Sequence, residues 1–275
     1  MDSTSDRLYQ YFAMQNSTIY LCINLPQAET RRQAITAQAQ KLGLDIQFVE
    51  AVAGKDLPAD VPEYDRAERR KRYHYDLTPN EIACALSHRK ALQTFLDSAA
   101  DYAVIMEDDA LLAENFNEGI REVIEQLHGW EVAKLYTDDG SRLYPLEAES
   151  GGCVRAVFPS KILWVAVGYL YTRSGAEKLQ AEPSAISLAA DARIGHLLLE
   201  RDIPTIGISP SLITTSDPNN EQSTIDTAES SRKEEGHRTP LQYLRYRLSV
   251  MAISRAKKRM ITRMKQHLHR AYCLH

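Results

Sequence analysis

The feature that most limits what this chain can become lies between residues 17 and 54. "STIYLCINL" (17–25) is β-branched and apolar and reads as a buried strand. "PQAETRRQAITAQAQKLGL" follows, with Pro26 at its start, helix formers within and Gly43 as a stop, so it reads as a helix. "DIQFVEAVAG" (45–54) alternates as a second strand. Strand, helix and strand at this spacing form a βαβ unit, in which two parallel strands are joined by a right-handed crossover.

The same alternation continues downstream and predicts an α/β domain. "LTPNEIACALSHRKALQTFLDSAA" (77–100) opens with Thr78, Pro79 and Glu81, a capping box before a helix. "YAVIMED" reads as a strand, "NFNEGIREVIEQL" as a helix and "EVAKLY" as a strand. "SKILWVAVGYLYT" (160–172) reads as a longer strand, with Trp164, Tyr169 and Tyr171 as core, the alternative being that they stack on a sugar. "RSGAEKLQAE" and "SLAADARIGHLLLERD" read as helices, and "IPTIGI" as a strand. Residues 65–76 are too charged for core and form a surface loop or short helix, a solvated face or a contact for an anionic acceptor. Residues 209–239 are polar, punctuated by Pro and Asn, and read as a long loop. The chain divides into a leader (1–16), an α/β domain (17–235) and a basic helical tail (236–275).

Charge separates the tail from the body. Residues 236–275 hold ten Lys/Arg and no Asp/Glu; the rest is left with 23 basic and 37 acidic residues, a net −14. A basic tail on an acidic body suggests an anionic surface as partner, nucleic acid or membrane. Ile253, Ala256, Met260, Met264 and Leu268 recur at helical spacing, with Arg and Lys between them. Such a helix suits anionic lipid, so a membrane and not nucleic acid is the expected partner. The alternative packs that stripe on the body or on a second subunit. No apolar run reaches the ~20 residues of a membrane span, and "MDSTSDRLYQYF" carries no apolar signal core. The four scattered cysteines form no CxxC pair, which suits reduced thiols rather than a zinc site. The expected location is cytoplasmic, peripheral on the inner face of the inner membrane.

Three acids, Glu107, Asp108 and Asp109, stand where a buried strand ends, and an apolar stretch resumes at Ala110. Ligands of open α/β sheets bind beyond the carboxyl ends of the strands. Along an extended segment Glu107 and Asp109 share one side. Clustered carboxylates resist ionising together, and a divalent cation relieves that cost. Hard oxygen ligands suit Mg²⁺ or Mn²⁺ carrying a diphosphate. Three solvated loop acids are the plain alternative.

"INLPQAETRR", "LTPNEIACALSH" and "VIMEDDALL", in this order, resemble glycosyltransferase family 25, the lipooligosaccharide-type enzymes related to collagen galactosyltransferases. "VGYLYTRSGAEKL", "SLAADARIGHLL" and "PSLITTSDPNNEQSTI" are weaker echoes, so the resemblance covers roughly residues 17–226. Ala83 stands where the family usually has Gly, and the Asp191 segment lacks a frequent preceding Pro. The resemblance implies a GT-A-like fold, a Rossmann-like mixed sheet flanked by helices, here with a C-terminal basic helical extension. It implies a UDP-sugar donor and Mn²⁺ or Mg²⁺ as cofactor. Asp109 becomes the metal ligand, with Glu107 as a second ligand or, like Asp108, a donor contact. Asn24, Arg31, Arg32 and Ser223 face the donor, although a capped helix with a solvated arginine accounts for one of the two arginines. His88 is a buried, hydrogen-bonded histidine with donor contact open to it.

Asp191 has two readings, the base that takes the acceptor hydroxyl's proton or a charge complementing a helix dipole. Asp138 and Asp139 precede Gly140 and read as turn residues. Residues 214–226 form a lid over the donor. The expected activity is inverting transfer of a hexose, galactose from UDP-galactose, to a lipooligosaccharide or LPS core acceptor. UDP-glucose or UDP-GlcNAc as donor is the near alternative. A membrane-surface-binding protein with an inactive transferase-like domain is the distant one.

Overall fold

The computed structural model describes residues 17–272 apart from 74, 139, 147–151, 182–184 and 217–239. The expected βαβ unit opens the fold: β1 (Thr18–Asn24), α1 (Glu29–Leu42) and β2 (Ile46–Glu50), with β1 and β2 parallel. Gly43 ends α1 at φ +67°, a left-handed turn that only glycine adopts without cost, and its N–H returns to the carbonyls of Ala39 and Gln40. α2 (Arg66–Tyr73) is the short charged helix, and α3 (Pro79–Asp97) follows. The α3 capping box forms as the sequence predicts. Thr78 Oγ1 accepts from the Glu81 N–H at 3.2 Å, and Glu81 Oε2 accepts from the Thr78 N–H at 2.8 Å.

β3 (Tyr102–Glu107) pairs parallel with β1, placing both strands' carboxyl ends at one edge of the molecule. β4 (Ala110–Leu112), α4 (Phe116–Gln126), β5 (Val132–Lys134), β6 (Leu143–Pro145) and β7 (Arg155–Pro159) follow. Then come β8 (Gly168–Thr172), α5 (Arg173–Gln180), α6 (Ala190–Glu200), β9 (Thr205–Ser209), β10 (Ile213–Thr215) and α7 (Pro240–Tyr272). The main sheet has the order β2-β1-β3-β8-β5-β9-β7-β6. β7 and β8 run against the other six. This is the mixed, mostly parallel sheet flanked by helices that a GT-A-like fold requires. Its core runs from Leu21, Val104 and Ile105 through Leu170 to Ile206 and Ile208, all buried.

Three expectations need correction. Residues 160–172 do not form one long strand; only Gly168–Thr172 does. The preceding turn is pulled down by Lys134, a fully buried β5 lysine whose Nζ donates to the carbonyls of Lys161 (3.3 Å) and Trp164 (2.5 Å). A buried ammonium must find acceptors, and a regular strand would have committed those carbonyls to a ladder. Trp164 is therefore not core: it is 63% exposed, whereas Tyr169 and Tyr171 are buried as expected. Residues 209–239 are not loop throughout. Ile213–Thr215 pairs antiparallel with Ala110–Leu112, while 217–239, and with them Ser223 and most of the lid, lie outside the described residues.

The tail helix differs most. Met260 and Met264 are fully buried in the main core, and Ile253, Ala256 and Ile261 pack against it. Lys257 Nζ donates to the Ser160 carbonyl at 2.5 Å, and Arg263 pairs with Asp202. The stripe expected to face lipid faces the body instead, because apolar area gains as much from a protein surface as from a membrane. The side chain of Leu268 lies outside the described residues. Among the described residues no helix is long and apolar enough to cross a membrane.

Candidate active site

The parallel pair β1–β3 delivers Asn24 and Glu107 to the same sheet edge, with Ile23 opposite Glu107. The chain turns after Glu107, so the strand alternation does not extend to Asp108 and Asp109. The turn is fixed on both flanks. Gln38 of α1 donates to the Ala110 carbonyl (3.1 Å) and accepts the Leu112 N–H (2.9 Å). On the other side the Ser216 N–H donates to the Asp109 carbonyl at 2.9 Å.

The three acids take three different partners. Glu107 Oε1 lies 2.9 Å from Nε2 of His88, a buried residue of α3. Asp108 accepts from Asn24 Nδ2 at 2.8 Å and pairs with Arg31 Nη1 at 3.1 Å. Asp109 Oδ2 accepts from the Thr215 hydroxyl at 2.6 Å. Its Oδ1 is buried and has no hydrogen-bond partner, and neither does Oδ1 of Asn24. Burial and then the charge of Glu107 push the Asp109 carboxyl up to about 6. Burial also raises Asp108, against the pull of Asn24 and Arg31.

Asp191 stands in the first turn of α6. Its Oδ1 accepts the Ala192 N–H (2.6 Å) and its Oδ2 the Val165 N–H (3.2 Å). Burial raises its pKa; Glu107 raises it further and Lys134 opposes, so Asp191 lies within the field of the acid cluster. Arg31 and Arg32 separate as their neighbours dictate. Arg31 turns to Asp108, while the Arg32 guanidinium stacks 4.0 Å over the Phe48 ring. Asp138 holds only a backbone bond to Ser211 Oγ (3.1 Å) among its described contacts.

The donor set fits a hard divalent cation. A buried carboxylate oxygen without a partner, beside a second carboxylate that raises its pKa, is an acceptor awaiting a positive charge. Cys84, His88 and Glu107 also bring one ligand atom each within 4.8 Å of one another. Burial and the surrounding acids push the Cys84 thiol well up, which disfavours the thiolate a metal needs. His88 Nε2 is already engaged by Glu107 Oε1.

Thr215 and Lys134 belong to this region and were not singled out as site residues by sequence, whereas Trp164 reads there as core with sugar stacking as the alternative. Thr215 lies in the late loop that resembles the family. Nothing in the local pattern marks Lys134, whose role exists only once β5 lies beneath the 161–164 turn.

Carboxylates gathered at the carboxyl ends of parallel strands in a mixed, helix-flanked sheet define a GT-A-like α/β protein. Residues 17–194 match the family model "Glycosyltransferase family 25 (LPS biosynthesis protein)", and the chain belongs to that family. It is 26% identical over 200 residues to a Haemophilus influenzae protein named "Putative glycosyltransferase", covering 69% of this chain and 67% of that one. It is 28% identical over 190 residues to procollagen galactosyltransferase 1-B of Xenopus laevis, covering 62% of this chain. A glycosyltransferase 25 family member of Aedes aegypti is 27% identical over 183 residues, covering 60% of this chain. The matches span only 29% and 28% of those two longer proteins. Among solved structures, S. aureus TarS 1-349 superposes with a TM-score of 0.43 at 12% identity, covering 74% of this chain and 61% of that one.

Proposed function

We propose that the chain is a metal-dependent, inverting hexosyltransferase that moves galactose from UDP-galactose to a lipooligosaccharide or LPS core sugar. The observation that carries this reading is Asp109, whose buried Oδ1 lacks a partner beside Glu107 at the strand-end edge. Asp109, with Glu107, would hold Mn²⁺ or Mg²⁺. When bound, the cation offsets negative charge developing on the diphosphate as the sugar departs. Asp108 is held by Asn24 and Arg31 and accepts from a donor hydroxyl. His88 orients Glu107 through its hydrogen bond. Asp191, raised by burial, takes the proton of the acceptor hydroxyl. The galactosyl choice is supported by the procollagen galactosyltransferases among the relatives, and the acceptor class by the family's description.

We further propose attachment to an anionic membrane face through the first half of α7. There Leu244, Leu248 and Met251 are exposed at helical spacing, with Arg247 and Arg255 exposed near them. The transferase reading is tested by a donor panel of UDP-galactose, UDP-glucose and UDP-GlcNAc with Mn²⁺, scored by UDP release. UDP-galactose should be hydrolysed fastest and chelator should stop it. Failure to release UDP from any donor favours a binding protein with an inactive transferase-like domain.

A further inference from the structure

The turn that carries Trp164 is held more firmly than an exposed loop requires. From below, the buried Lys134 ammonium donates to the carbonyls at both ends of the turn, and the Trp164 N–H donates to the Lys161 carbonyl at 3.1 Å. From the side, α6 approaches at Gly195, where an added Cβ would lie 2.5 Å from the Ile162 carbonyl oxygen. The next residue, Val165, adopts φ +57°, a conformation costly for a β-branched side chain. Strain of that kind persists where surrounding structure imposes it, and it clusters at functional sites. The Val165 N–H then donates to Asp191 Oδ2.

This network fixes a tryptophan one residue away from the contact with Asp191, yet leaves its side chain 63% exposed. Leu163 and Val165 are only partly exposed, so the indole stands singly and not within a broad apolar patch of the kind that docks proteins or lipid. A lone flat aromatic next in the chain to the residue whose N–H holds a carboxylate suits a pyranose. The sugar's C–H face meets the electron-rich indole face, while its hydroxyls remain free for the acid.

We propose that Trp164 is the stacking platform of the acceptor-sugar subsite, holding the acceptor pyranose so that its reacting hydroxyl meets Asp191. The proposal rests on the transferase reading above, and its test separates the two. The chain has two tryptophans, and the other, Trp130, is buried with its indole N–H on the carbonyls of Val123 and Leu127. Emission lost in Trp164→Phe therefore reports Trp164. With UDP and Mn²⁺ present, methyl β-lactoside and deacylated lipooligosaccharide core are titrated into the wild type and Trp164→Phe. A saturable change in wild-type emission, absent from Trp164→Phe, is expected. Trp164→Ala should raise the acceptor KM on the order of tenfold, while donor KM and UDP-galactose hydrolysis stay within about twofold. Trp164→Tyr should recover most of the affinity. Unchanged emission with both glycans overturns the platform, as does an unchanged acceptor KM in Trp164→Ala. So does a parallel fall in donor hydrolysis, which would mark a structural role. If the wild type hydrolyses no UDP-sugar, the transferase reading has failed, and a saturable Trp164 signal would still report sugar binding.

Discussion

The proposed chemistry of this chain turns on one carboxyl group, that of Asp109. Buried beside Glu107 and pushed up to about 6 from 3.8, it binds its proton more tightly folded than unfolded. In metal-free protein its contribution to stability is present in full below pH 3.8 and is lost as pH rises through 6. Asp109→Asn should therefore be more stable than the wild type in chelator at pH 7.5, by about 1–3 kcal/mol. The gap should close between pH 6 and 4 in thermal denaturation with chelator. A gap that is constant across that range would place the Asp109 charge in solvent. Asp191→Asn tests the base separately. It keeps the shape but only one of the two oxygens that accept the Ala192 and Val165 N–H groups, and donor binding should persist while transfer falls ~10²–10⁴-fold. Equal turnover in Asp191→Asn would reduce Asp191 to a partner of the 165 turn. Of these groups, the acid triplet, Asn24, His88 and Asp191 were singled out in the sequence by pattern and family resemblance. Which arginine faces the site was not legible, because the Asp108 and Phe48 that separate Arg31 from Arg32 come from the turn after β3 and from β2.

Secondary-structure elements were legible where local chemistry decides them. The βαβ unit follows from an apolar strand, a Gly43 stop and an alternating strand. The α3 start follows from Thr78, Pro79 and Glu81. β4, β6 and β10, of three residues each, are too short to show a period and exist through their pairing partners. The 160–167 turn misleads for the opposite reason: its apolar run looks like a strand until Lys134 takes its carbonyls. In α7, periodicity identified an apolar stripe but not its partner, since lipid and protein core reward the same pattern. Because Met264 is fully buried, Met264→Ala should cost about 2–5 kcal/mol in denaturant unfolding. A cost below ~0.5 kcal/mol, as at a typical surface position, would mean the stripe is not docked. If the first half of α7 meets lipid, Leu248→Glu should abolish flotation with anionic liposomes at low salt without lowering thermal stability. Flotation that is unchanged by Leu248→Glu would argue against that face.

Across the molecule, one region gathers residues of the proposed site that the sequence scatters. β1 brings Asn24, β3 brings Glu107, the following turn brings Asp108 and Asp109, and α6 brings Asp191. α7 packs on α6, α2 and β9, so removing everything after Pro240 should expose Met260's and Met264's core site and destabilise the body. The acid edge is what distinguishes a transferase from a binding module of the same shape. The most direct measurement is UDP release from UDP-galactose by wild type and Asp109→Ala, each with Mn²⁺ and with chelator. Wild type with Mn²⁺ should turn over, while chelator and Asp109→Ala should each cost at least on the order of 10²–10³-fold with the fold intact by circular dichroism. Near-wild-type release by folded Asp109→Ala in chelator would contradict a metal-holding role for this edge.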